Sequence, residues 1–215
     1  NKSSVGKWIW IAILALNIYY TGWWIHQAHK GGFFQAGQMN RTYFLNVVGR
    51  INPDRDLFKL LETNEYFKGT PQSVNTVFQN DFEQDTAYCS TAWPSGGKAT
   101  CLNGENQFFG PITLLVTANC APWIRVEADF LVQSREWDVW KYAQWIVQFY
   151  QGEKAIKTNL IRIQRHLPVD QVSTHLFFDV RVPSEPYDRC TMSIWNAESP
   201  QTLLMDNLKV SCFED

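Results

Sequence analysis

WIWIAILALNIYYTGWWI, residues 8–25, carries no charged side chain, and no other feature constrains this chain as strongly. As a helix, its eighteen residues reach about 27 Å, close to the hydrocarbon thickness of a bilayer. Trp8 and Trp10 stand at one end, with Tyr19, Tyr20, Trp23 and Trp24 toward the other, as in the aromatic belts of membrane interfaces. A cleaved signal peptide has a shorter apolar stretch followed by a small-residue cleavage site, which AHKGG does not supply. The reading is therefore a single-pass transmembrane helix, with its flanks, over residues 1–30, in contact with membrane lipid. Asn17 falls mid-span. A lone amide in lipid seeks a partner, so Asn17 is the candidate contact to another membrane helix, with bonding to its own backbone as the plainer alternative. Lys2 and Lys7 precede the helix and Lys30 and Arg41 follow it, so charge alone does not orient it.

The rest of the chain is folded, not disordered. Charged residues are 19% and aromatics 15%, with ten Trp. A net charge of −2 offers no basic field for nucleic acid. The phosphate-loop, dinucleotide, zinc-hydrolase and serine-hydrolase motifs are all absent from the sequence, which weighs against those enzyme classes. The chain begins at Asn1, so the expectations include a longer parent whose preceding part carries an activity.

Residues 31–75 read as a connector. A Gly pair ends the first helix. INPDRDLFKLLETNEYF then suggests a short helix with Asp54 as cap and Leu57, Leu60 and Leu61 on its apolar face. Asn40-Arg41-Thr42 matches the N-glycosylation sequon. From residue 76 to 215 the pattern changes to eight short strand-like segments separated by turns such as PSGG, NGEN, QGEK and PSEP. In IRVEADFLV, for example, Ile124, Val126, Ala128 and Phe130 point one way, and Arg125, Glu127 and Asp129 the other. The fold class is mainly β: an antiparallel β-sandwich of jelly-roll type with one N-terminal transmembrane α-helix.

NDFE (80–83), Trp93, SGGKAT (95–100), SIWN (193–196) and LLMDNLKV (203–210) follow one another in an order that resembles the galactose-binding-like jelly rolls of certain carbohydrate-binding modules. The resemblance covers roughly residues 76–213 and implies that the first and last strands are neighbours. It also implies a structural calcium between them, held by Glu83 and Asp206 with Asp81 as a further candidate. Backbone carbonyls and water would complete the six to eight oxygens that calcium takes.

Five cysteines fall in the β region, and none shows the paired spacing of a zinc site. Disulfides in an extracytoplasmic domain are the better reading, with the N-terminus cytoplasmic and the β domain periplasmic or extracellular. Cys89–Cys101 would close a short loop across SGGKAT, and Cys190–Cys212 would join two late strands; the sequence leaves connectivity open.

Two functions from different classes follow. The first is a non-catalytic, membrane-anchored subunit whose sandwich docks on or braces other membrane protein subunits. The alternative is a carbohydrate-binding domain, one form of which is the C-terminal part of a larger membrane glycosyltransferase-type protein. Trp137, Trp140 and Tyr142 in REWDVWKYAQW are the candidates to stack on sugar rings, with burial in the core as the competing reading. Catalysis within this chain is not expected. Glu127 and Asp129 lie roughly 7 Å apart on one strand face, but any exposed strand offers that spacing.

Overall fold

The computed structural model describes residues 2–34, 39–84, 89–115, 122–134, 141–167 and 169–215. The chain forms two compact units, Asn1–Leu61 and Glu62–Asp215.

In the first unit, α1 (Lys2–His26) runs on into a π-helical turn, Gln27–Gly31, which ends at Gly32 with a left-handed backbone (φ 66°). Trp8, Ile9, Trp10, Leu14 and Ile18 are all more than half exposed. The helix thus presents apolar side chains all round and is long and apolar enough, over Ser4–His29, to cross a membrane. Asn17 donates its side-chain amide to Ile13 O, one turn back at 2.8 Å, so this donor is met within α1. A short helix, α2 (Arg41–Val47), follows; the Asn40 side chain accepts from Tyr43 N at 2.8 Å and caps it. The sequon asparagine therefore serves as a helix cap. A 3₁₀ turn over Arg55–Leu61 completes a small core of Phe33, Tyr43, Val47, Phe58 and Leu61.

The second unit is an antiparallel β-sandwich. Its described strands are β1 (Gln72–Asn80), β2 (Ser90–Ala92), β3 (Lys98–Leu102), β4 (Phe108–Leu114), β5 (Trp123–Val132), β6 (Gln144–Gln151), β7 (Lys154–Arg162), β8 (Thr174–Arg181), β9 (Arg189–Trp195) and β10 (Leu203–Glu214). One sheet has the order β2-β3-β10-β5-β8, with β1 also on β10; the other has β4-β9-β6-β7. The inward side of each alternation supplies the core. From β5 come Ile124, Val126, Ala128 and Phe130, and from β6 Trp145, Val147 and Phe149, all fully buried. Eight of the strands correspond to the eight segments read from the sequence. The short β2 and β3, which flank the SGG turn, are additional.

β1 and β3 share one edge of β10. β3 pairs with Leu203–Met205 and β1 with the stretch from Leu208 to Glu214. Between these, β10 slips by one residue. Asp206 faces Asp129 and Lys209 faces Glu127, so three steps on β10 oppose two on β5. The bulge is centred on Asn207, whose φ of 51° is left-handed. Leu203 and Met205 point inward before it and Leu208, Val210 and Cys212 after it. The acid and amide inside LLMDNLKV thus mark a change of strand phase.

Residues 62–67 close the β7–β8 side of the sandwich. Thr63 N donates to Leu160 O of β7 at 3.3 Å, and Glu65 N to Asp179 O of β8 at 3.1 Å. Glu65 then accepts from Lys157 Nζ (2.7 Å) and from Arg181 N (2.9 Å), linking both sheets through one carboxylate. The compact unit starts at Glu62, upstream of the residue 76 at which the alternating pattern becomes visible in the sequence.

Candidate functional site

Two places in the sandwich have the makings of a site. The first is the corner where β1 ends against β10. After Asn80 the chain turns through Phe82, which has a left-handed backbone (φ 57°) and buries its ring edge-on against Phe109. This turn sets Asp81 and Glu83 beside the β10 bulge. Glu83 Oε1 accepts from Lys98 N at 3.0 Å and packs on Gly97, where any Cβ would collide with that oxygen and the φ of 86° already favours glycine. This contact is the physical content of the FE and SGGK motifs. Asp206 Oδ1 accepts from Asn207 N at 2.7 Å, and Asn207 Nδ2 reaches Asp129 Oδ2 at 2.9 Å. Burial, and then the neighbouring charges of Asp129, Glu83 and Asp81, push the Asp206 carboxyl above its ordinary range. Glu83, Asp206 and Asp81 are thus brought to one corner. All are hard oxygen donors of the kind calcium takes. Among the described residues, however, no three acid, His or Cys side chains converge closely enough to form a ready-made metal site. Lys209 pairs with Glu127 at 2.8 Å.

The second place is the outer face of the four-stranded sheet. Strand register sets its rows. Phe108, Trp195, Gln144 and Arg162 lie side by side across β4, β9, β6 and β7. Two residues along β6, Ile146 neighbours Ser193 and Leu160; two further on, Thr113, Thr191, Gln148 and Thr158 form a polar row. Tyr150 and Arg189 close the face. Phe108, 62% exposed, stacks on Trp195 with centroids 6.1 Å apart and planes at 7°. At the other end the Arg189 guanidinium sits 4.5 Å over the Tyr150 ring, and Tyr150 OH donates to Gln148 Oε1 at 2.9 Å. Gln148 Nε2 in turn donates to Thr158 Oγ1 at 3.2 Å. Thr191 itself is buried, so the groups this row offers are the exposed Thr113 and Thr158 and the half-buried Gln148. Flat apolar rings at two ends with an amide and hydroxyls between them match the two needs of sugar recognition, stacking on ring faces and hydrogen bonds to hydroxyls. The rows described contain no carboxylate, hence no acid pair of the kind glycoside hydrolysis uses.

Of the residues expected from sequence to bind glycan, one is described. Tyr142 lies in the sandwich core, 9% exposed and with Arg165 6.0 Å from its ring centroid, so burial removes it from any sugar platform. Trp137 and Trp140 lie outside the described residues. Of the expected disulfides, Cys89 is bonded to Cys101 across the β2–β3 turn, with Cα atoms 5.2 Å apart. The second pairing is not formed. Cys190 is a free thiol buried from β9, on one sheet, while Cys212 of the facing sheet is disulfide-bonded elsewhere. Burial pushes the Cys190 thiol up to about 12, so it stays protonated and unreactive.

No family model and no curated protein matches the chain. Solved structures do. A family 16 carbohydrate-binding module is 16% identical, with 59% of this chain and 87% of that module covered, at a TM-score of 0.39. The xylan-binding CBM22-1 domain of Paenibacillus barcinonensis Xyn10C is 9% identical, with 68% of this chain and 99% of that domain covered, at 0.42. The xylan-binding module CBM15 is 12% identical, with 66% and 97% covered, at 0.31.

Proposed function

We propose that this chain displays a non-catalytic carbohydrate-binding sandwich from a membrane anchor, and that a neutral glycan chain lies on the outer face of the four-stranded sheet. The single observation that carries the reading is the row structure of that face, with Phe108–Trp195 at one end, Tyr150 at the other and the accessible Thr113, Gln148 and Thr158 between. The cations of these rows are engaged: exposed Arg189 lies over Tyr150, and half-buried Arg162 is 3.6 Å from Glu62. A neutral ligand is therefore favoured over an acidic one. This reading leads over the bracing subunit because the strand register supplies a specific surface suited to a sugar chain. α1 serves as the anchor, and the Cys89–Cys101 disulfide favours an extracytoplasmic sandwich with a cytoplasmic N-terminus. A structural calcium at the β1–β10 corner, held by Asp206 and Glu83 with Asp81, belongs to the same proposal.

The test is binding of the full-length chain, in detergent, to a panel of soluble neutral polysaccharides. Saturable binding to at least one is expected. Trp195→Ala should weaken it about tenfold, the ~1.4 kcal/mol typical of a lost stacking partner. Trp123→Ala, on the other sheet, should leave it unchanged. Binding indifferent to Trp195→Ala, or no binding to any polysaccharide, refutes the proposal.

A further inference from the structure

We infer that α2 and the turn after it form a second membrane-embedded element, lying in the lipid interface against the end of α1, with Leu45 and Ile51 immersed in acyl chains. The inference rests on reading α1 as a membrane helix.

Its basis is how α1 meets the chain that leaves α2. Tyr19 OH donates to Gly49 O at 2.6 Å, and Trp23 Nε1 to Arg50 O at 2.6 Å. Gln27 Nε2 donates to both Arg50 O and Ile51 O, at 2.9 and 2.8 Å. Three consecutive carbonyls of irregular backbone thus receive donors from three side chains spaced four residues apart along α1 and the π-helical turn that continues it. In water such carbonyls need no side-chain partner. In lipid, irregular backbone survives only where protein groups satisfy it. The contacts also fix depth. Tyr19 lies six residues before Ile25, at the end of the uncharged stretch, so Gly49 sits about 9 Å back along α1 toward the bilayer centre.

The surface of this element agrees. α2 buries Tyr43 and Val47 in its own small core and leaves Leu45 59% exposed. Ile51 is 61% exposed and lies beside Ile18 and Gly22, on the flank of the apolar helix. Trp24 and Ile25 of α1 are themselves 46% and 58% exposed. The polar groups among them are suited to an interface: Asn46 donates its amide to Thr42 O at 2.9 Å, and the exposed Arg41 and Arg50 have the length to reach lipid phosphates. At Ile51 the apolar surface is continuous with that of α1, so the occupant is the same lipid that surrounds α1.

The experiment uses the full chain in phosphatidylcholine–phosphatidylglycerol vesicles, with a fluorophore on Leu45→Cys or Ile51→Cys. Leu14→Cys in α1 and Glu153→Cys in the exposed β6–β7 turn are reference sites; the unsubstituted chain, whose Cys190 is buried, sets the background. Quenching by a lipid-borne nitroxide is compared with quenching by aqueous iodide. Positions 45 and 51 should follow position 14, with lipid quenching several-fold stronger than iodide quenching, and position 153 should show the reverse. If 45 and 51 follow 153 while 14 stays with lipid, α1 is a membrane helix and the inference is wrong. If 14 is also reached by iodide, the membrane reading fails and the inference with it. Shielding of 45 and 51 from both quenchers means that protein covers the patch, which overturns the proposal as well.

Discussion

Asp206 shows how one residue serves two purposes at different levels. Its place beside Asn207 lets β10 change phase, because the bulge needs a residue that tolerates the left-handed backbone and Asn does so more readily than most. At the same bulge, burial and the charges of Asp129, Glu83 and Asp81 raise the pKa of the Asp206 carboxylate. The folded state then holds the Asp206 proton more tightly than the unfolded chain does. Stability contributed by this group is therefore lost as pH rises through the raised folded value, and regained as pH falls back through it. Asn at this position keeps the acceptor for Asn207 N and removes the charge. With divalent cations chelated, Asp206→Asn should raise the melting temperature at neutral pH by ~2–4 °C, equivalent to about 1 kcal/mol for a domain of this size. Adding calcium should stabilise the unsubstituted chain and leave Asp206→Asn unmoved. If calcium shifts neither melting curve, the metal proposal is wrong and the corner is an acidic cluster that the fold tolerates.

At the scale of elements, residues 62–67 join the two sheets along the β7–β8 side, and Glu62 is the buried end of that connection. Its carboxylate is fully enclosed with Arg165 Nη1 at 2.6 Å and Arg162 Nη1 at 3.6 Å. Burial raises the Glu62 pKa despite both cations and lowers that of Arg162, so both partners register the cost of leaving water. Removing one partner strands the other. Glu62→Gln should therefore destabilise the sandwich by ~3–5 kcal/mol in chemical denaturation of the full chain. A loss under ~1 kcal/mol would mean that the arginines find other partners. This clip was invisible in the sequence, because Glu62 and Glu65 lie in a connector and meet partners about a hundred residues away. The eight longer strands were legible, since alternation is local. β2 and β3 were not, being short and rich in small or polar residues. The proposed sugar platform falls between these cases. The outward set Gln144, Ile146, Gln148 and Tyr150 was readable from β6 alone. Its alignment with Trp195 and Thr191 depends on cross-strand register, which no single segment encodes. Tyr142 misled for the related reason that its stretch breaks alternation just before β6 begins.

Across the whole molecule, the two units are stabilised by different physics, and heat should separate them. In detergent or lipid, α1 satisfies every interior backbone group within itself, and its apolar surface needs no protein core. The sandwich depends on one continuous core spanning both sheets, on the Cys89–Cys101 link and on the residue 62–67 clip, so its strands should melt together. Two-state behaviour is then expected of residues 62–215 but not of the full chain. On heating the full chain in detergent, the strand contribution to far-ultraviolet circular dichroism and the near-ultraviolet signal of Trp145 and its neighbours should collapse in one cooperative step. The helical contribution should persist beyond it. Glu62→Gln should move the cooperative step and leave the helical signal in place. Loss of helix and strand in a single transition would show instead that α1 folds only with the sandwich, and the picture of an autonomous anchor carrying an independent binding domain would have to be given up.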